Sequence, residues 1–260
     1  MNPDLSTVPG VLLVEDNPVN QKVARRFLER MGCSVMLARN GAEAVAACRD
    51  QRFALVLMDL QMPVMDGLQA TRAIRSADGA TRHTPIVALS ANALPEHVAQ
   101  CLNAGMDDFL SKPIDVSRLR EVVAMHGAAD RKCEITHSQR VTALPAAPPI
   151  DLQHLRRLSD NDAGFMSELI LLFLDSATAV LNEIRLAHAS SDRAAIARAA
   201  HKLKGACANV FAEPLRALAS RLEMDGASLT VSELDAAIVG LASEMLTLRD
   251  FLRSKHVQAA

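Results

Sequence analysis

The spacing of apolar residues changes character near the middle of this chain. Over residues 10–126, short apolar runs alternate with segments whose apolar positions recur every three or four residues. The runs are Val11–Val14, Cys33–Ala38, Phe53–Asp59, Pro85–Leu89 and Asp108–Ser111. Runs that are apolar throughout, bounded by turn residues, predict strands buried on both faces of a parallel sheet. Helices are predicted between them. Asn17-Pro18 pairs an N-cap with a first-turn proline and opens a helix carrying Val19, Val23, Phe27, Leu28 and Met31, closed by Gly32. Further helices follow at Gly41–Arg49, Gly67–Ser76 and Pro95–Ala104, and from a cap at Asp115 to about His126. Strand and helix alternate five times over about 120 residues, which implies an α/β fold with a five-stranded, doubly wound parallel sheet.

From Ile150 onward no strand pattern is present. Asp151 caps a helix at Leu152–Leu158. A long helix runs from Phe165 to about Ala187, with Phe165, Leu169, Leu172, Phe173, Val180, Leu181 and Ile184 on one broad face. Asp192 caps the next, to about Phe211, and Pro214 opens another, to about Asp225. The last runs from Ser232 to about His256, with Leu234, Ile238, Leu241, Met245, Leu248 and Leu252 at helical spacing. Short connections between long amphipathic helices imply an antiparallel all-α bundle. Residues 127–149 are polar at first, then rich in Ala and Pro, without a period, and read as a tether in which His137 is a solvated residue. The expected organisation is an α/β domain at 1–126, a linker at 127–149 and a helical domain at 150–260.

Composition narrows the function. There is no Trp or Tyr and there are only 7 Phe, so the core is aliphatic and stacking platforms for single-stranded nucleic acid are not expected. The net charge is -2 and no region carries the basic excess that nucleic-acid binding usually shows, so nucleic acid is not an expected partner. The 5 cysteines are scattered without CxxC spacing, which argues against a disulfide framework or zinc site and for a reducing compartment. Neither a signal-peptide pattern nor an apolar run approaching the ~20 residues of a membrane span is evident, so a cytoplasmic protein is expected.

The chemistry lies at the strand ends. The first strand delivers Glu15 and Asp16, the third Asp59, the fourth Ser90 and the fifth Lys112. In a doubly wound sheet these ends share one edge, where ligands bind. Taken singly, Asp59 also reads as a cap or turn residue, Ser90 as a turn residue and Lys112 as a solvated surface group. Together they form a crevice in which three carboxylates repel and call for a cation. All-oxygen ligation by few protein groups suits Mg²⁺. Asp59 is then a candidate nucleophile toward a phosphoryl group, with Lys112 and the Ser90 hydroxyl placed to stabilise its oxygens.

Residues 10–126 resemble a response-regulator receiver domain, on Leu13-Val-Glu-Asp-Asn-Pro-Val-Asn20, Met58-Asp-Leu-Gln-Met-Pro-Val-Met-Asp-Gly67, Ala88-Leu-Ser-Ala91 and Ser111-Lys-Pro113. The resemblance implies a flavodoxin-like fold, with Asp59 as phospho-acceptor. It implies that Asp16, Asp59 and the Gln61 backbone carbonyl hold Mg²⁺, with Glu15 nearby, and that Ser90 and Lys112 contact the phosphoryl group. It further implies a cis Lys112–Pro113 bond. Phe109 matches the family's aromatic switch position, paired with Ser90, and reads equally as core. The Asn-Pro-Val-Asn sequence is, by the same resemblance, common in receivers attached to hybrid sensor kinases.

In the helical half the informative stretch is Ala199-Ala-His-Lys-Leu-Lys-Gly-Ala206. Lys204 and Gly205 lie three and four residues after His201, on the same helix face. A helix-interior Gly costs about 1 kcal/mol relative to Ala, and access of a docking partner to the imidazole would offset it. Neutral imidazole is a competent nucleophile near pH 7, and Lys202 and Lys204 could screen phosphoryl oxygens. The bland alternative is an exposed His with incidental lysines.

The segment resembles a histidine-containing phosphotransfer (HPt) domain, on His201-Lys-Leu-Lys-Gly205 and Leu215–Glu223. One departure stands out: the family often places a Gly in a turn about ten residues after the His, where this chain has Phe211 and Ala212. The resemblance implies a phosphorelay intermediate that exchanges phosphate with receiver aspartates. Its expected partners are a sensor histidine kinase, other receiver domains, or both. No ATP-binding pattern is present, so a kinase is expected in trans or on a longer parent chain. Two rivals are a Mg²⁺-dependent phosphohydrolase, disfavoured because Gln61 stands where such enzymes carry a second Asp, and a phosphorylation-switched docking module with His201 silent.

Overall fold

The computed structural model describes residues 10–90, 95–126 and 148–255, which fall into two compact units divided between positions 137 and 138. The predicted linker lies outside the described residues except for its last two positions, and so do Cys133, His137 and the Ala91 that ends the fourth strand's motif.

The first unit is a five-stranded parallel sheet in the order β2-β1-β3-β4-β5. Its strands are β1 (Val11–Val14), β2 (Val35–Ala38), β3 (Leu55–Asp59), β4 (Ile86–Ser90) and β5 (Asp108–Ser111). Every residue of β1, β3 and β4 is buried, as their unbroken apolar sequences require. At the sheet edge, β2 buries only Ala38 and leaves Met36 and Leu37 exposed. It begins two residues later than its apolar run suggests, and just before it the exposed Ser34 accepts the Val11 N–H through its carbonyl.

The helices are α1 (Pro18–Arg30), α2 (Gly41–Asp50), α3 (Gly67–Arg75), α4 (Pro95–Ala104) and α5 (Val116–Met125). Short polar side chains start them. Asn17, Asn40 and Asp115 each accept backbone N–H groups of the first turn, and Asp66 with Gln69 forms a capping box on α3. The chain order reverses at β1, with β2 on one side and β3 on the other. That reversal opens a crevice beyond the strand C-termini.

The second unit is helical: α6 (Leu152–Leu158), α7 (Ala163–Ala189), α8 (Arg193–Val210), α9 (Glu213–Asp225) and α10 (Val231–Ser254). Connections of two to five residues set neighbouring helices antiparallel. α8 packs against α7 and α9, and α10 against α9 and α7. All six apolar positions predicted for α10 are buried. The inner face of α7 is shifted from the predicted one. Met166, Ile170 and Leu174 are buried, while Phe165 and Leu172 sit at its margin. Asp162 caps α7, which moves its start two residues earlier, from Phe165 to Ala163. At 27 residues this helix is long and apolar enough to cross a membrane by length and composition alone, although Glu168, Asp175 and Glu183 break its apolar sequence into shorter runs. Here its buried stripe, Phe173, Ala177, Val180, Leu181 and Ile184 among it, forms the bundle core.

Candidate functional site

The sheet brings the predicted strand-end residues together. β1 runs out at Val14 opposite Met58, so Glu15 and Asp16 emerge beside Asp59. One carboxylate oxygen from each of Glu15, Asp16 and Asp59 lies within 4.8 Å of the other two. Asp59 and Glu15 are buried, at 4% and 2% exposure. On the far side Asp59 pairs with Leu89, and Ser90 pairs with Ser111. The Lys112 N–H donates to the Ser90 carbonyl at 2.7 Å, which draws the last residue of the set to the same edge. Ser90 is itself buried. The Lys112–Pro113 bond is cis, as the resemblance implies.

Lys112 is the cationic centre of this pocket. Its Nζ lies 2.6 Å from Glu15 Oε2 and 2.8 Å from Asp59 Oδ2. Burial alone would lower the Lys112 pKa, but the carboxylates of Asp59 and Glu15 outweigh it and push it up, so the ammonium stays charged. Burial and the negative charge of Asp59 push the Glu15 carboxyl up, against the pull of Lys112 and Asn20. One lysine does not neutralise three carboxylates. The remaining negative charge on an all-oxygen donor set fits a hard divalent cation such as Mg²⁺. A receiver-type acidic cluster of this kind is typical of Mg²⁺ binding.

The loop after β3 is held against this pocket. The Gln61 N–H approaches Asp59 Oδ1 at 3.4 Å. Gly67 N–H donates to the Leu60 carbonyl, and Gly41 N–H to that of Met65. Val64, 86% exposed, has φ 69° and is bridged by a Met65 N–H bond to the Pro63 carbonyl. A β-branched residue in that region costs on the order of 1–3 kcal/mol, and the strain sits in the loop that follows Asp59. Phe109 lies on β5 opposite Ala88, partly buried and packed on the sheet core.

The helical unit carries the second centre. His201 lies in α8, and its Nδ1 is 2.7 Å from Oε1 of Glu223 on α9, with the two side chains 15% and 20% exposed. Lys204 forms an ion pair with the other Glu223 oxygen at 2.5 Å, and Lys202 lies 3.6 Å from Glu183 of α7. The two lysines predicted to flank His201 are therefore engaged with carboxylates on different neighbouring helices. Burial would raise the Glu223 pKa, but the bonds from His201 and Lys204 outweigh it and hold the carboxyl below its ordinary value. Gly205, one turn beyond His201, is half-buried within α8.

Sequence reasoning assigned no role to Glu223, 22 residues from His201 and on another helix. The available signal was the Leu215–Glu223 stretch, whose apolar spacing set α9 against α8 and so brought its terminal carboxylate toward the histidine. It also assigned no role to Asn20, whose amide bonds Glu15 at 2.9 Å.

Residues 11–124 match the family model of the response regulator receiver domain, and residues 168–252 that of the Hpt domain. The sensor protein GacS of Pseudomonas syringae is 35% identical over 255 residues, covering 94% of this chain and 28% of its own length. The sensor histidine kinase AruS of Pseudomonas aeruginosa is 37% identical over 221 residues, covering 83% of this chain and 21% of its own. The chain thus spans less than a third of either relative. Among solved structures is the receiver domain of a Pseudomonas aeruginosa sensor histidine kinase, crystallised with a magnesium ion in its active-site cleft. It is 43% identical, covers 46% of this chain and 99% of its own, and has a TM-score of 0.43.

Proposed function

The chain is a receiver domain joined to an Hpt domain, resembling the C-terminal phosphorelay part of hybrid sensor kinases, and from that premise we propose that it relays phosphate through Asp59 and His201. The observation that carries the reading is the presence on one chain of two complementary acceptors. One is a buried carboxylate bridged to a lysine, and the other an imidazole anchored by a carboxylate.

Each acceptor is prepared by its neighbours. A carboxylate accepts a hydrogen bond only from a protonated nitrogen, so Glu223 keeps the proton on His201 Nδ1 and leaves the lone pair on Nε2. In transfer from a phosphohistidine, an Asp59 carboxylate oxygen attacks phosphorus, an O–P bond forms and the N–P bond breaks. The electron pair returns to the departing imidazole. In the reverse sense His201 Nε2 attacks the acyl phosphate, and the electron pair returns to the Asp59 carboxylate. Lys112 and the Ser90 hydroxyl hold the phosphoryl oxygens during either step. Asp16, Asp59 and the Gln61 carbonyl would hold Mg²⁺, with Glu15 beside them. That ion supplies positive charge to the phosphoryl oxygens.

Gln61 offers no carboxylate to act as acid–base on a leaving alcohol, which separates this pocket from a hydrolase. The expected donor is a histidine kinase, on a longer parent chain or in trans, and the expected acceptors are receiver domains. Residues 127–149 serve as the tether between 1–126 and 150–260. This reading places both domains in the cytoplasm, with the ATP-dependent kinase that feeds them.

Radiolabelled phosphotransfer from candidate kinases tests the reading. Asp59→Ala should abolish base-labile acyl phosphate while His201 still accepts phosphate from an external receiver. His201→Ala should abolish acid-labile phosphate and forward transfer. Acyl phosphate persisting in the Asp59→Ala receiver domain, or forward transfer persisting in His201→Ala, would overturn it.

A further inference from the structure

The first turn of α1 wraps the Glu15 carboxylate in a way the relay chemistry above does not use. Glu15 Oε1 accepts the Asn20 side-chain amide at 2.9 Å and the Asn17 N–H at 3.2 Å. Its Oε2 accepts Lys112 Nζ at 2.6 Å. The Gln21 side-chain amide donates to the Glu15 backbone carbonyl. Asn20 is 7% exposed, and a buried amide at that position costs free energy unless its hydrogen bonds are made. Asn17 has its own oxygen committed to capping α1, where it accepts the Val19 and Asn20 N–H groups. From the α1 side, Asn20 supplies a side-chain hydrogen bond that orients Glu15.

We propose that Asn20 is a positioning residue for the cation pocket. It commits one Glu15 oxygen to α1 and thereby aims the other at the Lys112 and cation side. The inference rests on the pocket reading above and goes beyond it. Without the Asn20 amide, Oε1 would lose its shorter bond and keep the longer backbone one from Asn17. The carboxylate would then rotate, carrying the Lys112 ion pair with it, and the spacing of the three carboxylates would be lost before any ion arrives. Groups that orient metal-site carboxylates from behind typically contribute 10–100-fold to metal affinity. The expected signature is therefore on cation binding and not on phosphoryl transfer once the cation is saturating.

The test is a Mg²⁺ titration of the full chain, followed by amide NMR signals of Gln61 and Lys112, on wild type, Asn20→Ala, Glu15→Ala, the double variant and Asp59→Ala. Asn20→Ala should weaken Mg²⁺ binding about 10-fold. It should leave the rate of Asp59 phosphorylation at saturating Mg²⁺ within about 3-fold of wild type. In the Glu15→Ala background the same substitution should have no further effect, because its target is gone. Asn20→Ser, which keeps a donor on a shorter stem, replaces the alanine variant if that one does not fold. Unchanged Mg²⁺ affinity in Asn20→Ala, or equal weakening in both backgrounds, overturns the inference while leaving the pocket reading intact. Wild type that binds no Mg²⁺, or binds it as well after Asp59→Ala, overturns the pocket reading and this inference together.

Discussion

At the scale of single residues, Phe211 shows how this chain satisfies a backbone requirement with an unexpected side chain. It ends α8 at φ 57° and ψ 37°, left-handed geometry that glycine adopts without penalty. The turn the HPt resemblance led us to expect is therefore present, but a phenylalanine makes it. A non-glycine residue there costs roughly 1–2 kcal/mol. Two contacts offset that cost. The Phe211 ring stacks on His154 with centroids 3.9 Å apart, and the Phe211 carbonyl accepts the Asp151 N–H at 3.1 Å, fastening α6 to the α8–α9 turn. Phe211→Ala keeps the strain and loses the ring, whereas Phe211→Gly loses both. The glycine variant should be more stable than the alanine variant by about 1 kcal/mol, the reverse of the order inside a helix. Urea unfolding followed through α8 amide signals measures the difference, and an alanine variant at least as stable as the glycine would refute it. His201 was legible because an imidazole with lysines and a glycine at helical spacing is unusual along the sequence. Glu223 was not, since its role depends on how α9 lies against α8.

At the scale of elements, the sheet was legible because a carboxylate, hydroxyl or lysine interrupts each of four apolar runs at its C-terminal end. What the sequence did not reveal is how closely β3 and α3 approach. A Cβ on Gly67 would lie 2.2 Å from the Asp59 carbonyl oxygen and 3.0 Å from Met58 Cγ. The backbone at Asp59 and the first turn of α3 are in contact, so only hydrogen fits between them. Gly67→Ala must push α3 and the end of β3 apart, and the burial of β3 gives it no slack. The expected cost is roughly 1–3 kcal/mol of stability, from overpacking. Asp59 phosphorylation should fall at least about 10-fold, because displacing a reacting oxygen by a fraction of an ångström removes the alignment the pocket provides. Thermal unfolding and acyl-phosphate yield read the two effects. Wild-type values in both would show that the junction is not the constraint described. The bounds of β2 and the inner face of α7 were misplaced for a related reason. Apolar content marks where a strand or helix lies, but edge position and helix phase are set by what packs against it.

At the scale of the whole molecule, the question is whether the two proposed acceptors, Asp59 and His201, serve each other. Residues 127–149 are rich in Ala and Pro toward their end, and if they act as the proposed tether, a flexible chain of that length would span roughly 25–30 Å on average. Such a tether would present one domain to the other at an effective concentration on the order of millimolar. Separate chains at micromolar concentration meet far less often. If phosphate passes from Asp59 to His201, transfer within one chain should therefore dominate, with a first-order rate independent of protein concentration in the low micromolar range. An equimolar mixture of Asp59→Ala and His201→Ala chains restores both acceptors but only in trans. Its transfer rate should scale with concentration and fall at least about 100-fold below wild type near 1 µM, the ratio of the two effective concentrations allowing for imperfect geometry. Pulse-labelling Asp59 and following the appearance of acid-labile phosphate on His201 across a dilution series distinguishes the cases. A mixture that matches wild type at every concentration would show that the tether does not direct the exchange. The two domains would then be separate stations, each facing partners on other chains.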